Sequence, residues 1–109
     1  MVITLGGTGL APSDVTPEAT EAVLERRAPG IAEAIRAESL RHTSNAMLSR
    51  GTAGVRAGTL VVNFPGSERA ARECYRIIQP VLDHAVSLLR GRVGDCGRPG
   101  GADREGQDG

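Results

Sequence analysis

The chain contains no lysine and no tryptophan, and its only aromatic residues are Phe64 and Tyr75. Proteins that bind single-stranded nucleic acid stack the bases on several aromatic side chains, which this sequence does not offer. The 13 arginines are balanced by 13 aspartates and glutamates, so the formal net charge is zero. Because binding to a nucleic acid backbone needs an excess of positive charge, we expect no nucleic acid partner.

Long apolar runs are missing as well. No stretch approaches the roughly 20 apolar residues of a membrane-spanning helix. The segment Met1–Gly7 lacks the charged and apolar regions of a secretory signal. We therefore predict a cytoplasmic protein with no membrane partner. The two cysteines, Cys74 and Cys96, have no C-x-x-C spacing, which argues against both a zinc site and a disulfide framework.

The length of 109 residues allows one small domain. From Gly91 to Gly109 the chain is dominated by glycine and charged residues, and its few apolar residues are Val93, Cys96 and Ala102. Such a segment buries too little apolar surface to offset the entropy lost on ordering. We predict a domain over residues 1–90 and a disordered tail over residues 91–109.

The first half of the chain predicts a strand followed by two helices. The apolar, β-branched run Met1–Leu5 indicates a buried strand, and a glycine-rich loop follows up to Val15. Thr16-Pro17-Glu18 combines a capping hydroxyl, a proline at the first helical position and an acid in the first turn, which predicts a helix capped by Thr16. Apolar positions extend this helix to Ala28, where Pro29-Gly30 interrupts it, and a second helix follows.

The second half predicts two strands, Thr52–Arg56 and Thr59–Phe64, with Ala57-Gly58 as the turn between them. Ser67 is expected to cap the last helix, and Pro80 to kink that helix or divide it in two. Apolar residues at steps of three and four mark its buried stripe: Ala70, Cys74, Ile77, Ile78, Val81, Ala85, Leu88 and Leu89. This order of elements predicts an α/β fold with helices packed on a mixed sheet.

Ligands in open α/β sheets bind beyond the carboxyl ends of strands, and the first loop there is Gly6-Gly7-Thr8-Gly9. Its glycines allow the backbone to approach a phosphate and to turn N–H groups toward it. The pattern is neither a Walker loop nor the dinucleotide fingerprint, and a purely structural tight turn is the alternative. Asp14, at the end of this loop, is either a carboxylate that supports the helix cap or a ligand for Mg²⁺.

The second such loop runs from Asn63 to Ser67. Asn63 can present an amide at the end of its strand, Gly66 permits close approach, and Ser67 opens a helix whose N–H groups favour anions. An ordinary strand-to-helix turn is the alternative. Arg50, which follows Ser49, is either a bidentate phosphate clamp or a paired surface arginine.

The remaining reactive side chains are predicted to be structural. His42 and His84 have no partner at metal-ligand spacing, so we expect both to be structural or exposed. Cys74 lies on the apolar stripe of the last helix and is expected in the core.

These motifs resemble the molybdopterin-binding domain of the MoaB/Mog family, whose eukaryotic relatives are the G domains of gephyrin and of the plant molybdenum-cofactor enzyme. The resemblance covers about residues 1–91. It rests on Ile3–Gly9, Ala11–Thr20, Ala46–Arg50, Ala53–Arg56, Leu60–Ser67 and Glu73-Cys74. Leu5 and Phe64 depart from the hydroxyl and aliphatic side chains that are usual there.

The resemblance implies a three-layer α/β/α fold, a homotrimer, and an enzyme of molybdenum cofactor biosynthesis, a molybdopterin adenylyltransferase. The terminal phosphate of molybdopterin would attack the α-phosphate of Mg-ATP, giving adenylyl-molybdopterin and pyrophosphate. Asp14 would be the catalytic residue and hold Mg²⁺, and a MoeA-like protein would insert molybdenum. The substrates ATP and molybdopterin would be bound by Gly6, Gly7, Thr8, Gly9, Ser49, Arg50, Asn63, Pro65, Gly66 and Ser67.

Complete members of the family have further strand–helix units upstream, with a Ser-Asp-Arg segment and a second catalytic aspartate. We therefore expect this chain to be the C-terminal portion of an N-terminally truncated domain. Three hypotheses follow from the resemblance. The chain is an adenylyltransferase with a misplaced start or a fragment of one, a non-catalytic molybdopterin-binding or trimer-assembly module, or part of a two-domain E/G molybdenum cofactor protein.

Overall fold

The computed structural model describes residues 1–91, so the predicted tail lies, apart from Gly91, outside the described residues. Strands and helices alternate in the predicted order, with one short additional strand. The elements are β1 (Val2–Leu5), α1 (Thr16–Val23), β2 (Arg26–Arg27), α2 (Pro29–Ser39), a 3-10 helix (Ser44–Leu48), β3 (Ala53–Arg56), β4 (Thr59–Phe64) and α3 (Glu68–Leu89). None of the helices within residues 1–91 is long and apolar enough to cross a membrane.

The strands form one mixed sheet in the order β1-β4-β3-β2. β1 runs parallel to β4, and β3 is antiparallel to both of its neighbours. Ala57 and Gly58 join β3 to β4 with φ angles of 51° and 70°, as a two-residue hairpin turn with two left-handed central residues requires. The predicted mixed sheet and the predicted turn are both confirmed.

The two faces of β4 carry different kinds of buried side chain, apolar on one face and polar on the other. Its even-numbered residues meet α2 and α3 in a core of Ile35, Ala53, Leu60, Val62, Phe64, Cys74, Ile78 and Leu82. Successive strand residues alternate between faces, so Asn63 points the other way. On that face it bonds to Thr20 of α1. Helix α1 therefore covers one face of the sheet and α2 with α3 covers the other, which confirms the three-layer α/β/α arrangement.

Helix α1 is shorter than predicted. It ends at Val23, and Arg26–Arg27 forms the edge strand β2, antiparallel to β3. The cause is tertiary: β3 offers a free edge, and a Cβ on Gly54 would lie only 2.4 Å from the Arg26 carbonyl oxygen, so the close pairing needs a glycine. Pro29 and Gly30 do not separate the helices but begin α2, where the missing N–H of proline costs nothing.

Helix α3 is capped as predicted, because the Ser67 hydroxyl accepts a hydrogen bond from the Ala70 N–H at 3.2 Å. The helix is continuous through Pro80, so of the two predicted effects of this proline, a kink or a division, the division is wrong and the kink stays a prediction. Its buried stripe is also narrower than predicted. Cys74, Ile78 and Leu82 follow at steps of four and are buried, whereas Val81 and Leu88 are 50% and 54% exposed.

Candidate functional site

The two predicted ligand loops meet at one edge of the sheet. β1 and β4 are parallel and end in register at Leu5 and Phe64, so their following loops start side by side. The Gly6 N–H donates to the Phe64 carbonyl oxygen at 2.9 Å. A Cβ on Gly66 would lie 3.3 Å from the Gly6 Cα. The topology thus brings together the segments that sequence reasoning selected separately.

Three of the four carbonyl groups of the glycine loop (Gly6–Gly9), those of residues 7, 8 and 9, are bonded to the protein. The Gly7 carbonyl oxygen accepts from the Thr16 N–H at 3.0 Å. The Thr8 carbonyl oxygen accepts from the Arg50 N–H at 2.8 Å, and the Gly9 carbonyl oxygen accepts from the Arg50 Nε at 2.8 Å. The peptide bonds are trans, so each N–H points away from the preceding carbonyl. The N–H groups of residues 8, 9 and 10 make no hydrogen bond within residues 1–91. These N–H groups are therefore available to an anion, and a phosphate site requires such outward-facing donors.

Gly7 is the position in this loop that most clearly requires glycine. Its φ is +72°, and an added Cβ would lie 2.2 Å from the Thr16 Oγ1. The Thr16 side chain therefore packs against Gly7 and does not cap α1. Val15 occupies the cap position without a side-chain hydrogen bond, so the predicted Thr16 cap is wrong.

Asp14 folds the end of the loop back on itself. Its Oδ2 accepts from the Ala11 N–H at 3.0 Å, and an added Cβ on Gly9 would lie 3.0 Å from the same oxygen. The carboxylate therefore sits beside the glycine loop and does not cap α1. Within residues 1–91 no group of three or more potential metal ligands is assembled. A single carboxylate suits Mg²⁺, which binds proteins through one or two carboxylates together with substrate phosphates and water.

Arg50 ties both ends of the first loop together. Its guanidinium donates to the Gly9 carbonyl oxygen at 2.8 Å and to the Asp14 carbonyl oxygen at 2.6 Å, and it forms an ion pair with Glu18. The hydrogen bond from Arg50 lowers the pKa of Glu18, and the same bond raises the pKa of Arg50. Of the two sequence alternatives, clamp or paired arginine, the structure shows a paired arginine.

Ser49 lies beside the site but is held by its neighbours. Its hydroxyl accepts from the Gly51 N–H at 3.3 Å. Arg36 of α2 donates to the Gly51 carbonyl oxygen at 2.8 Å, which anchors this segment to the helix layer. The segment that contains Ser49 and Arg50 is therefore held in place by α2.

Asn63 is buried, and each of its side-chain polar atoms has a partner. Its Nδ2 donates to the hydroxyl oxygens of Thr4 at 2.8 Å and Thr20 at 3.0 Å, and its Oδ1 accepts from the Thr52 N–H at 3.1 Å. This amide joins β1, α1 and the start of β3 beneath the two loops. The Asn63 side chain therefore supports the two loops, and neither of its N–H donors is free to bind a ligand.

A second polar contact extends this network along α1. The Thr52 hydroxyl donates to Glu21 at 2.7 Å, and Arg27 donates to the same carboxylate at 2.7 Å. These bonds, that from Thr52 first, lower the pKa of Glu21.

The second loop is built as a strand-to-helix turn. Pro65 is half-buried, whereas Gly66 and Ser67 are exposed. An open groove of about 550 Å³ extends from Gly66 and Leu5 along α3, where Arg72 and Arg76 line it. Glu68 also lines this groove and forms an ion pair with Arg72, so the second loop borders an accessible surface of mixed charge.

The remaining predictions about single side chains hold. His42 and His84 are both exposed. Cys74 is 2% exposed in the core. Its burial, and secondly the charge of Glu73, raises the pKa of the thiol, which keeps it in its unreactive form.

Sequence reasoning missed the residues that support the loops. Glu18 was assigned only to a helix start, although it pairs with an arginine 32 positions away. The hydroxyl groups of Thr4 and Thr20 were not singled out. The available signal was Thr4 itself, a polar residue in the middle of an apolar strand.

Comparison with known proteins agrees with this architecture. The sequence matches the family model described as "Probable molybdopterin binding domain" over residues 1–84. The chain belongs to this molybdopterin-binding domain family.

Individual relatives point the same way. The chain is 48% identical over 89 residues to the molybdenum cofactor synthesis protein cinnamon of Drosophila melanogaster, covering 82% of this chain and 15% of that protein. It is 43% identical over 91 residues to a molybdopterin adenylyltransferase of Helicobacter pylori, covering 84% of this chain and 52% of that enzyme. The crystal structure of MoaB from Thermus thermophilus superposes with a TM-score of 0.75 at 56% identity, covering 82% of this chain and 56% of that one. The chain thus spans about half the length of the adenylyltransferase and of MoaB.

Proposed function

We propose that this chain acts in molybdenum cofactor biosynthesis by adenylylating molybdopterin with Mg-ATP. The observation that carries the proposal is the polarity of the glycine loop, in which three carbonyl groups bond to the protein while three successive N–H groups remain available. Such a row of N–H groups recognises a phosphate, and both substrates carry phosphate. The relatives named molybdopterin adenylyltransferase support the choice of reaction.

In the proposed reaction a terminal phosphate oxygen of molybdopterin attacks the α-phosphorus of ATP. A new phosphorus–oxygen bond forms, the bond from the α-phosphorus to the bridging oxygen breaks, and pyrophosphate leaves with the electron pair. Such a transfer needs positioning and charge neutralisation and no nucleophilic side chain. Thr8 and Gly9 would hold a phosphate through their backbone N–H groups together with the Leu10 N–H, and Gly6 and Gly7 would give the loop the shape that presents these groups.

The other site residues are assigned supporting or contact roles. Asp14 would hold Mg²⁺, which neutralises phosphate charge when bound. Ser49, Pro65, Gly66 and Ser67 would line the substrate site, with Asn63 holding the two loops together. We further propose a cytoplasmic homotrimer that supplies its product to a MoeA-like protein, on the basis of family membership.

The deciding experiment measures pyrophosphate released from Mg-ATP and molybdopterin by the purified chain. Asp14→Asn keeps an oxygen to accept from the Ala11 N–H but removes the charge, so it should lose most of the activity. Asp83→Asn, an exposed carboxylate on α3, is the matched control and should leave the rate unchanged. Equal rates in both variants would overturn the role of Asp14. Light scattering on the same sample tests the homotrimer.

The second candidate is a module that binds molybdopterin or joins a family trimer without catalysis. The observation that favours it is the coverage of 52% of the Helicobacter pylori enzyme, since the remaining part of that enzyme has no counterpart in this chain. It predicts molybdopterin binding without pyrophosphate release. Pyrophosphate release that is lost in Asp14→Asn would exclude this candidate. Sequencing upstream of the coding region tests the related possibility of a larger, two-domain protein.

A further inference from the structure

Arg50 makes three hydrogen bonds to the segment between β1 and α1 and one ion pair with α1. Its backbone N–H donates to the Thr8 carbonyl oxygen at 2.8 Å. Its guanidinium donates to the Gly9 and Asp14 carbonyl oxygens at 2.8 and 2.6 Å. The ion pair with Glu18 then connects it to the first turn of α1. The Arg50 backbone thus holds Thr8, and its side chain joins Gly9, the end of the loop at Asp14 and the helix that follows.

These contacts determine which way the peptide groups of the loop face. A trans peptide places its C=O and N–H on opposite sides, so holding the carbonyl groups of residues 8 and 9 turns the N–H groups of residues 9 and 10 away from Arg50. We propose that Arg50 is a positioning residue that holds the glycine loop in its anion-binding orientation and does not itself bind the phosphate. The identity of the ligand as a phosphate rests on the proposed function.

The distribution of charge supports this assignment over a phosphate clamp. A clamp presents a guanidinium fork to the ligand and needs its positive charge. The Arg50 charge is already paired with Glu18, and two of its N–H directions are used on carbonyl groups. The side chain is 34% exposed, so two-thirds of it is covered by the protein.

The two roles predict opposite signs for Glu18→Gln. Removing a negative charge beside an anion site should strengthen phosphate binding if Arg50 is a clamp, because the arginine is released. If Arg50 positions the loop, Glu18→Gln replaces the ion pair with a weaker, neutral hydrogen bond, so one of the anchors of Arg50 weakens and phosphate binding should weaken. Arg50→Ala should weaken binding by roughly tenfold, the effect of one lost hydrogen bond to a charged group. Arg50→Lys should not restore it, because an ammonium lacks the planar fork that reaches both carbonyl groups.

The experiment measures inorganic pyrophosphate binding by calorimetry and amide hydrogen exchange by NMR on the full chain. Exchange at the N–H groups of Ala11 and Thr16, which are bonded inside the loop, should accelerate in Arg50→Ala and in Glu18→Gln. Exchange at the Ala70 N–H, in the cap of α3, should not change. Glu18→Gln added to Arg50→Ala should have no further effect, because the pair acts as one unit. Glu38→Gln, from the exposed ion pair between Glu38 of α2 and Arg41 just after that helix, is the matched control.

Three results would overturn the assignment. They are tighter pyrophosphate binding in Glu18→Gln, full binding in Arg50→Lys, or unchanged exchange at Ala11 and Thr16 in Arg50→Ala. The exchange measurement needs no ligand. If the wild-type chain neither binds pyrophosphate nor turns over substrates, the proposed function fails, while exchange still decides whether Arg50 positions the loop.

Discussion

The two loops at the carboxyl ends of β1 and β4 look alike in sequence but are built differently. The loop after β4 is organised locally, because Ser67 bonds to the Ala70 N–H only three residues away. The loop after β1 is organised from a distance, because Arg50 bonds to Gly9 across 41 positions of sequence. The loop after β4 uses an N–H group for a helix cap, whereas the loop after β1 uses carbonyl groups and leaves N–H groups free.

This difference shows that glycine content alone does not define an anion site. Glycine permits a range of peptide orientations, and something else must select one of them. In the first loop the selection comes from Arg50 and from the Thr16 N–H. In the second loop the Ser67 cap already accepts the Ala70 N–H, so this N–H group is not available to an anion. We therefore expect the two loops to respond differently to substitution.

The largest effect is expected from Gly7→Ala. The left-handed backbone costs an alanine about 1–3 kcal/mol, and the contact with Thr16 Oγ1 adds overpacking of about 1–3 kcal/mol. Urea denaturation should show a loss of roughly 2–6 kcal/mol in the free energy of unfolding. Gly66→Ala, on the second loop, faces only a 3.3 Å contact with the Gly6 Cα and should cost less. Gly30→Ala, with no atom within 4 Å, is the neutral control. Equal losses of unfolding free energy in Gly7→Ala and Gly66→Ala would show that the two loops do not differ in their need for glycine.

The next effect is expected from Asn63→Ala, which removes the support that both loops share. It leaves the Thr52 N–H, the buried Thr20 hydroxyl and the half-buried Thr4 hydroxyl without their partner, so denaturation should show a loss of about 1–3 kcal/mol. Thr59→Ala, on the same strand but partly exposed, is the comparison variant. A loss confined to Asn63→Ala would show that the amide network, and not the strand itself, holds the loops together.

A smaller effect is expected from Ser67→Ala, which removes the cap of α3. The loss should be about 1 kcal/mol, as for other helix caps. Because that cap is local, the Ala11 and Thr16 N–H groups of the first loop should keep their exchange rates. Faster exchange there would show that the two loops are coupled through their contact at Gly6 and Gly66.

The smallest effect is expected from acid. Hydrogen bonding from Arg50 places the pKa of Glu18 below its usual value of 4.5. The stabilisation from the pair is therefore complete above pH 4.5 and is lost as the pH falls through the lowered folded-state pKa. The NMR shifts of the first loop should follow this titration, and the Ala70 N–H should not, because its partner is a neutral hydroxyl. In Glu18→Gln the part of this titration that comes from Glu18 should disappear.

Local patterns in the sequence were sufficient for several elements. The bounds Thr59–Phe64, the turn at Ala57-Gly58 and the Ser67 cap were all predicted and confirmed, because each depends on residues within a few positions of one another. The same holds for the strand–loop–helix order around the two loops that follow β1 and β4.

Other features depend on contacts that no local pattern contains. The edge strand Arg26–Arg27 forms because β3 presents a free edge and a glycine. Val81 is exposed because the sheet covers only one narrow stripe of α3.

The sequence by itself therefore determined most of the strands and helices, the place of the two loops that follow β1 and β4, and which family the motifs resemble. Only the tertiary structure decided the orientation of the glycine loop and the use of Arg50 and Asn63. The physical reason is that propensity and periodicity act over a few residues, whereas the hydrogen bonds that orient these peptide groups join positions tens of residues apart.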